Sequence, residues 1–253
     1  MKILVCIKQV LTLGDEVAFN DDGTDVDRDY CDSALNEWDT FSTEEAVQIK
    51  ERRDGNAEVV VVTVGDDSVE PALRRCLAMG ADRAVRVEGL TSPDPLSVAF
   101  ALADVARAEQ PDLILCGVQS SDSVQASTGS ALGGYLDWPL VAVVTRLELN
   151  ESNSTARVMR ELEGGRIDIV EVDLPAVITV QSGINAPRYA TFRAIKQADR
   201  KEITILQAAV APQPAYRVRR MAVPSKGGRA EMLGTHAAEI ADRMVQLIKE
   251  ATK

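Results

Sequence analysis

Leu113-Ile114-Leu115-Cys116-Gly117-Val118-Gln119-Ser120-Ser121-Asp122-Ser123-Val124-Gln125-Ala126-Ser127-Thr128-Gly129 is an unbroken apolar run that empties into a loop of hydroxyls and small residues. A strand covered by helices on both faces meets water on neither, so it reads as a continuous apolar run rather than an alternating one. The same texture occurs three more times toward the N-terminus: Ile3-Leu4-Val5-Cys6-Ile7, Val59-Val60-Val61-Val62 and the weaker Ala84-Val85-Arg86-Val87. Helical patterns separate these runs. Ser42-Thr43-Glu44-Glu45 is an S-x-x-E capping box that predicts a helix opening there and running through about Arg52. Val69, Ala72, Leu73, Cys76 and Leu77 share one helical face that Gly80 ends, and Asp94-Pro95 predicts a third helix to about Glu109. The alternation is βαβαβαβ, which predicts a doubly wound, mostly parallel sheet of the α/β class. Its ligand belongs in the crevice beyond the carboxyl ends of the strands, at the loops after Lys8, Val64, Val87 and Cys116.

Past Trp138-Pro139 the texture changes. Residues 140–149, 156–162, 167–172 and 176–180 read as strands that extend or flank the sheet, with Gly164-Gly165 as a hairpin turn. Residues 207–216 turn Ala- and Pro-rich, with Pro212 and Pro214, and read as an extended linker. The basic cluster Arg217, Arg219 and Arg220 follows. A last helix from about Thr235 to Lys249 then carries one apolar stripe of Ala237, Ile240, Met244, Leu247 and Ile248. The expected division is an α/β nucleotide-binding domain over 1–206 and an extension over 207–253. The stripe can bury on its own domain or on a neighbour.

Bulk properties exclude several classes. With 253 residues the chain can bury a large core without staples, and a formal net charge of −11 lacks the electrostatic footprint of a nucleic-acid binder. The first apolar run is too short for a signal peptide or a bilayer span, so no membrane insertion is expected and the expected location is cytoplasmic, or the matrix of an organelle. Cys6, Cys31, Cys76 and Cys116 stand without any C-x-x-C, and His236 is the single histidine, so iron–sulfur, zinc and disulfide-redox readings lack ligands. Electrons, if carried, must ride on an organic cofactor.

Two constellations could hold a ligand. The loop after Cys116 offers hydroxyls and free amides ahead of a small-residue helix, an arrangement that receives a phosphate; the alternative is a loop that only caps its helix. It contains no GxxxxGK[ST], no Lys stands near it in sequence, and no GxGxxG follows the first strand, so a nucleotide here is expected to be bound rather than hydrolysed. Asp122 is read as a ribose ligand or a loop cap, with no His or Lys near it to make it a general base. Asn36-Glu37-Trp38-Asp39, placed just before the first helix, could meet a base edge or form a solvated turn around one buried Trp. Asp21, Asp22, Asp25, Asp27 and Asp29 lack EF-hand spacing and read as a solvated acidic hairpin.

Val177-Ile178-Thr179-Val180-Gln181-Ser182-Gly183-Ile184-Asn185-Ala186-Pro187-Arg188-Tyr189-Ala190-Thr191-Phe192-Arg193-Ala194-Ile195-Lys196 resembles the signature of electron-transferring flavoprotein beta subunits, with N-x-PRYA ahead of a short helix. The likeness extends over nearly the whole chain, through Val5 to Gln9, Asn36 with Glu44-Glu45-Ala46, Leu77-Ala78-Met79-Gly80-Ala81-Asp82-Arg83, Leu136-Asp137-Trp138-Pro139 and Arg160-Glu161-Leu162-Glu163-Gly164-Gly165. It implies an adenine-nucleotide alpha hydrolase-like fold and a heterodimer. In that heterodimer an alpha subunit carries the redox-active FAD and beta holds a structural AMP.

Carried onto this chain, the implied AMP pocket is Cys6, Asn36, Glu37, Trp38, Asp39, Val64, Asp122, Ser123, Val124, Gln125, Ala126, Ser127, Thr128, Gly129, Ser130 and Gly133. Some members hold a second FAD there, usually with a D-x-x-x-Q-V-G-P string; Gln125-Ala126-Ser127-Thr128-Gly129 is similar to the AMP type. A stand-alone adenine-nucleotide-binding protein is the remaining alternative. Leu35-Asn36-Glu37-Trp38-Asp39 and Val218-Arg219-Arg220-Met221 look similar to the flavoproteins of methylotrophic bacteria that take electrons from amine dehydrogenases. The resemblance also implies a recognition loop over 185–200 that docks a donor dehydrogenase, with Asn185, Pro187, Arg188, Tyr189, Phe192 and Ile195 as its partner-binding residues. Phe192 stands where a leucine is usual, and Leu13 where some relatives place an aromatic beside the flavin. The C-terminal segment is implied to wrap the alpha subunit.

Overall fold

The computed structural model describes residues 1–14, 17–90, 94–150, 152, 154–209, 216–224 and 232–252. It divides into two compact units, Met1–Arg220 and Met221–Lys253. In the first unit the described strands are β1 (Lys2–Cys6), β2 (Gln9–Leu13), β3 (Cys31–Leu35), β4 (Glu58–Val64), β5 (Arg83–Glu88), β6 (Leu113–Gly117), β7 (Leu140–Leu149), β8 (Thr155–Leu162), β9 (Arg166–Asp173), β10 (Ala176–Val180) and β11 (Ile203–Gln207). Its helices are α1 (Glu37–Arg52), α2 (Glu70–Met79), α3 (Pro95–Glu109), α4 (Thr128–Leu136) and α5 (Phe192–Ala198); α6 (Ala237–Ala251) lies in the second unit.

A nine-stranded sheet runs in the order β11-β5-β4-β1-β6-β10-β7-β8-β9. The first seven of these pair in parallel, and β7-β8-β9 continue as antiparallel neighbours. Side chains alternate between two cores. Ile3, Val5, Val59 and Val61 pack with α1 and α2, whereas Leu4, Cys6, Val60 and Val62 pack with α3 and α4. This double burial is why the sequence shows unbroken apolar runs. Strand order also settles which loops matter. From β1 the chain winds outward through β4 to β5, then crosses back to place β6 on the other side of β1. The topological switch point therefore lies between β1 and β6, where the flanking loops part toward opposite faces and leave a crevice. Val64 ends the adjacent strand, but the loop after Val87 stands two strands from the switch, at the end of a strand whose outer neighbour is β11.

Several expectations hold in detail. Asp94 caps α3 through a reciprocal box, its Oδ1 accepting from Ser97 N at 2.8 Å while Ser97 Oγ accepts from Asp94 N at 3.0 Å. Gly80 follows α2 with φ +129°, and Gly164 and Gly165 turn with φ +75° and +71°. The acidic stretch is a hairpin: Phe19 bridges Val26, and Asn20 Oδ1 accepts from Thr24 N and Asp25 N.

Two expectations are corrected. The first helix opens at Glu37 rather than at Ser42, so Glu37, Trp38 and Asp39 form its first turn instead of preceding it. Ser42 and Thr43 lie inside the helix, and their hydroxyls donate to the carbonyls of Trp38 and Asp39 one turn back. Glu37 and Asp39 supply the acidic first turn that a helix dipole favours. Second, Gln207 ends an edge strand, β11, rather than opening a linker; Ile205 and Leu206 are half exposed there, which hides the strand from an apolar-run criterion. Pro212 and Pro214 lie outside the described residues.

Candidate functional site

The crevice at the β1/β6 switch point is assembled by the first turn of α1. Asn36 caps that helix without a side-chain bond to the helix backbone. Its amide reaches across instead, Nδ2 donating to Gln119 O at 2.9 Å and Oδ1 accepting from Ser121 N at 3.2 Å. Asp39 is buried, and its carboxylate accepts from Lys8 N at 2.7 Å and from Gly117 N at 2.9 Å, which ties the loops after β1 and β6 to one side chain. Trp38 Nε1 donates to Gln181 Oε1 at 2.8 Å, adding the end of β10. Gly117 admits no side chain, since a Cβ there would stand 2.7 Å from Trp38 Cβ. Glu37 is exposed and outside this network.

Burial pushes Asp39 up to about 7, against the two backbone N–H groups from Lys8 and Gly117 that favour its charged form. Beneath the crevice, Cys6 and Cys116 are register partners on β1 and β6. Burial lifts the Cys6 thiol well above its ordinary range and Cys116 to about 12, so both remain protonated and serve as a small apolar floor.

The loop between β6 and α4 is folded back on itself. Val124 N donates to Ser120 O, and Val124 and Ala126 adopt left-handed backbone with φ +51° and +49°. Such a conformation costs a β-branched residue about 1–3 kcal/mol, so the surroundings must hold it. Ala126 is followed by right-handed Ser127, which caps α4 without a side-chain bond. A left-handed residue followed by a right-handed one turns successive N–H groups to one side, a concavity suited to an anion, next to a helix N-terminus of the same polarity. Gly129 and Gly133 are buried in α4; a Cβ on Gly129 would meet Thr179 Cγ2 at 2.6 Å and Cys116 Sγ at 2.8 Å, so this glycine lets the helix seat directly on β6 and β10. Ser123 Oγ lies 2.9 Å from Ser120 Oγ, Ser130 is exposed, and Gln125 Nε2 donates to Tyr216 Oη at 2.5 Å.

Lys8 is the residue that sequence reasoning missed. Asp122 was expected to have no lysine near it, yet Lys8 Nζ lies 2.6 Å from Asp122 Oδ1, 3.4 Å from Ser120 Oγ and 3.5 Å from Ser123 Oγ. More than a hundred residues separate these partners, and only the adjacency of β1 and β6 unites them. Burial works to raise Asp122, but hydrogen bonds from Lys8 and Ser120 and the Lys8 charge outweigh it and keep the carboxylate ionised.

The segment after β10 forms a second feature. Asn185 Nδ2 donates to Phe41 O and Glu45 Oε2, and Arg188 pairs with buried Glu44 at 2.8 Å and with Glu51 at 2.6 Å, fastening the segment to α1. Arg74 holds its far end to α2 by donating to Ala198 O and Lys201 O. Thus Asn185 and Arg188 face α1 and Pro187 is half-buried, while Tyr189, Phe192 and Ile195 are 96, 73 and 44 % exposed. The Lys196 ammonium stands 4.7 Å over the Phe192 ring. Among the described residues no group of His, Cys, Asp and Glu could hold a metal, and no helix is long and apolar enough to cross a membrane.

The electron transfer flavoprotein domain matches residues 24–211, which include α1, the loop after β6 and the fastened segment. An electron transfer flavoprotein subunit beta of Methylophilus methylotrophus is 47% identical over 261 residues, covering 99% of this chain and 98% of that protein. The chain belongs to the electron transfer flavoprotein beta-subunit family. Beta subunits of this family in Oryza sativa subsp. indica, where it is mitochondrial, and in Homo sapiens are 39% and 34% identical over 209 and 211 residues, covering 80% and 82% of this chain and 80% and 81% of those proteins. The family name is that of an electron carrier rather than an enzyme.

Proposed function

We propose that this beta subunit pairs with a flavin-bearing alpha subunit, binds AMP as a fixed strut in the β1/β6 crevice, and presents Tyr189, Phe192 and Ile195 to a donor dehydrogenase. One observation carries the nucleotide reading: two side chains at the start of α1, Asn36 and Asp39, brace a loop whose left-handed residues and uncapped helix N-terminus favour an anion, at the switch point of the sheet. The residues fit a monophosphate better than a longer phosphate chain. Asp122 is the sole charged residue between Gly117 and Leu136, and the ammonium beside it is already engaged. Cys6 and Val64 line the floor and neighbouring strand end, and the Ser127–Ser130 amides stand where a phosphate would be received. Nothing in this constellation activates water, since the thiols are held protonated, which supports binding without hydrolysis.

FAD, when held by the partner, supplies the electron chemistry; this chain supplies a rigid platform and a docking surface. Fastening by Asn185 and Arg188 suits such a surface, because an anchor held in place loses less entropy on docking. Heat-released ligand from the purified complex, separated by HPLC, is expected to contain FAD and AMP in about equal amounts, as one strut per heterodimer requires. Two FAD and no AMP would establish the bifurcating type instead. A complex-free chain carrying adenine nucleotide without any flavin partner would establish a stand-alone binder.

A further inference from the structure

Lys8 is held at both ends: its backbone N–H by Asp39 on the α1 side of the crevice, its ammonium by Asp122 and two serine hydroxyls on the α4 side. Asp122 is the one charge on the loop that leads to α4, and it is negative. Unanswered, that carboxylate would oppose any anion approaching the helix N-terminus. The ammonium cancels it at 2.6 Å, with side-chain exposures of 47% for Lys8 and 22% for Asp122. We infer that Lys8 is a positioning residue for the nucleotide: the fixed counter-ion of Asp122, which neutralises the crevice loop and pins its Ser120–Ser123 turn so that a phosphate is accepted at the α4 N-terminus. This rests on the AMP reading above and adds to it the residue that makes the site tolerant of an anion.

A double-mutant cycle isolates this role, because a counter-ion becomes dispensable once the charge it answers is removed. The purified complex, stripped of AMP, is titrated with AMP and, separately, with adenosine, by calorimetry. Lys8→Met is expected to weaken AMP by about tenfold, through the uncompensated Asp122 charge, while leaving adenosine unchanged. Asp122→Asn binds AMP at least as tightly as the wild type. The double variant Lys8→Met/Asp122→Asn returns to within about threefold of the wild type. Equal AMP affinity in Lys8→Met and wild type overturns the inference and leaves the AMP reading standing. A double variant as weak as Lys8→Met makes Lys8 a direct phosphate ligand and also overturns it. Loss of both AMP and adenosine in Asp122→Asn assigns Asp122 to the ribose and overturns it as well. A wild type that binds neither ligand removes the AMP reading and this inference together.

Discussion

The Asp39 carboxylate sits buried in the first turn of α1 with the Lys8 and Gly117 N–H groups both aimed at it. Removing the side chain leaves two partly buried backbone donors without their acceptor, and each such loss costs about 1–3 kcal/mol. Asp39→Ala is therefore expected to lower stability by about 2–4 kcal/mol in urea unfolding. The group also sets a pH dependence. Its pKa rises from 3.8 unfolded to about 7 folded, so the folded state binds the extra proton and stability falls as pH climbs across that window. Asp39→Asn cannot titrate, and the wild type should lose stability relative to it between about pH 4 and 7. Arg188 behaves oppositely. Burial tends to raise Glu44, but the Arg188 hydrogen bonds and charge bring it below its usual 4.5, so this contribution is present above that pH and fades as pH falls through the lowered folded value. Arg188→Ala leaves Glu44, whose side chain is 3% exposed, without its cation; a loss of about 2–3 kcal/mol in the same assay is expected.

Helix α4 illustrates how closely the elements under the crevice are fitted. Gly129 Cα lies against Thr179 and Cys116, and a methyl there would stand 2.6 and 2.8 Å from them. Backbone on one side and two strands on the other leave little room for adjustment. Gly129→Ala is expected to cost about 1–3 kcal/mol, through displacement of α4 from the sheet, and to reduce the AMP content of the purified complex. A drop in stability without loss of nucleotide would separate the packing of α4 from its proposed role at the phosphate.

For the molecule as a whole, Phe192 is the substitution that tests docking rather than folding. It is 73% exposed on a segment fastened at both ends, so its removal disturbs little inside the chain. Phe192→Ala is expected to leave AMP content and thermal midpoint unchanged but to slow reduction of the complex by its donor dehydrogenase, measured by stopped-flow bleaching of the flavin. Unaltered rates would take the anchor role from this ring. In the second unit, α6 carries the apolar stripe expected from the sequence, which includes Ile240, Met244 and Ile248.

The parallel sheet was legible because both faces of each strand are buried, which forces unbroken apolar runs, and because Gly80, the Asp94 box and Gly164-Gly165 mark their turns locally. The loop after Cys116 was legible because its hydroxyls, from Ser120 to Thr128, cluster in one short stretch. The start of α1 was not, since the Ser42 and Thr43 hydroxyls return to carbonyls inside the helix, an arrangement that leaves the same letters as a cap. Nor was β11, an edge strand half open to solvent. The sequence by itself determined the buried strands of the main sheet, the helices α2 and α3, and the family to which the chain belongs. Only the tertiary structure decided that Lys8 meets Asp122 and that Asp39 joins two loops, because strand order, which brings β6 beside β1, comes from long-range pairing that leaves no local trace.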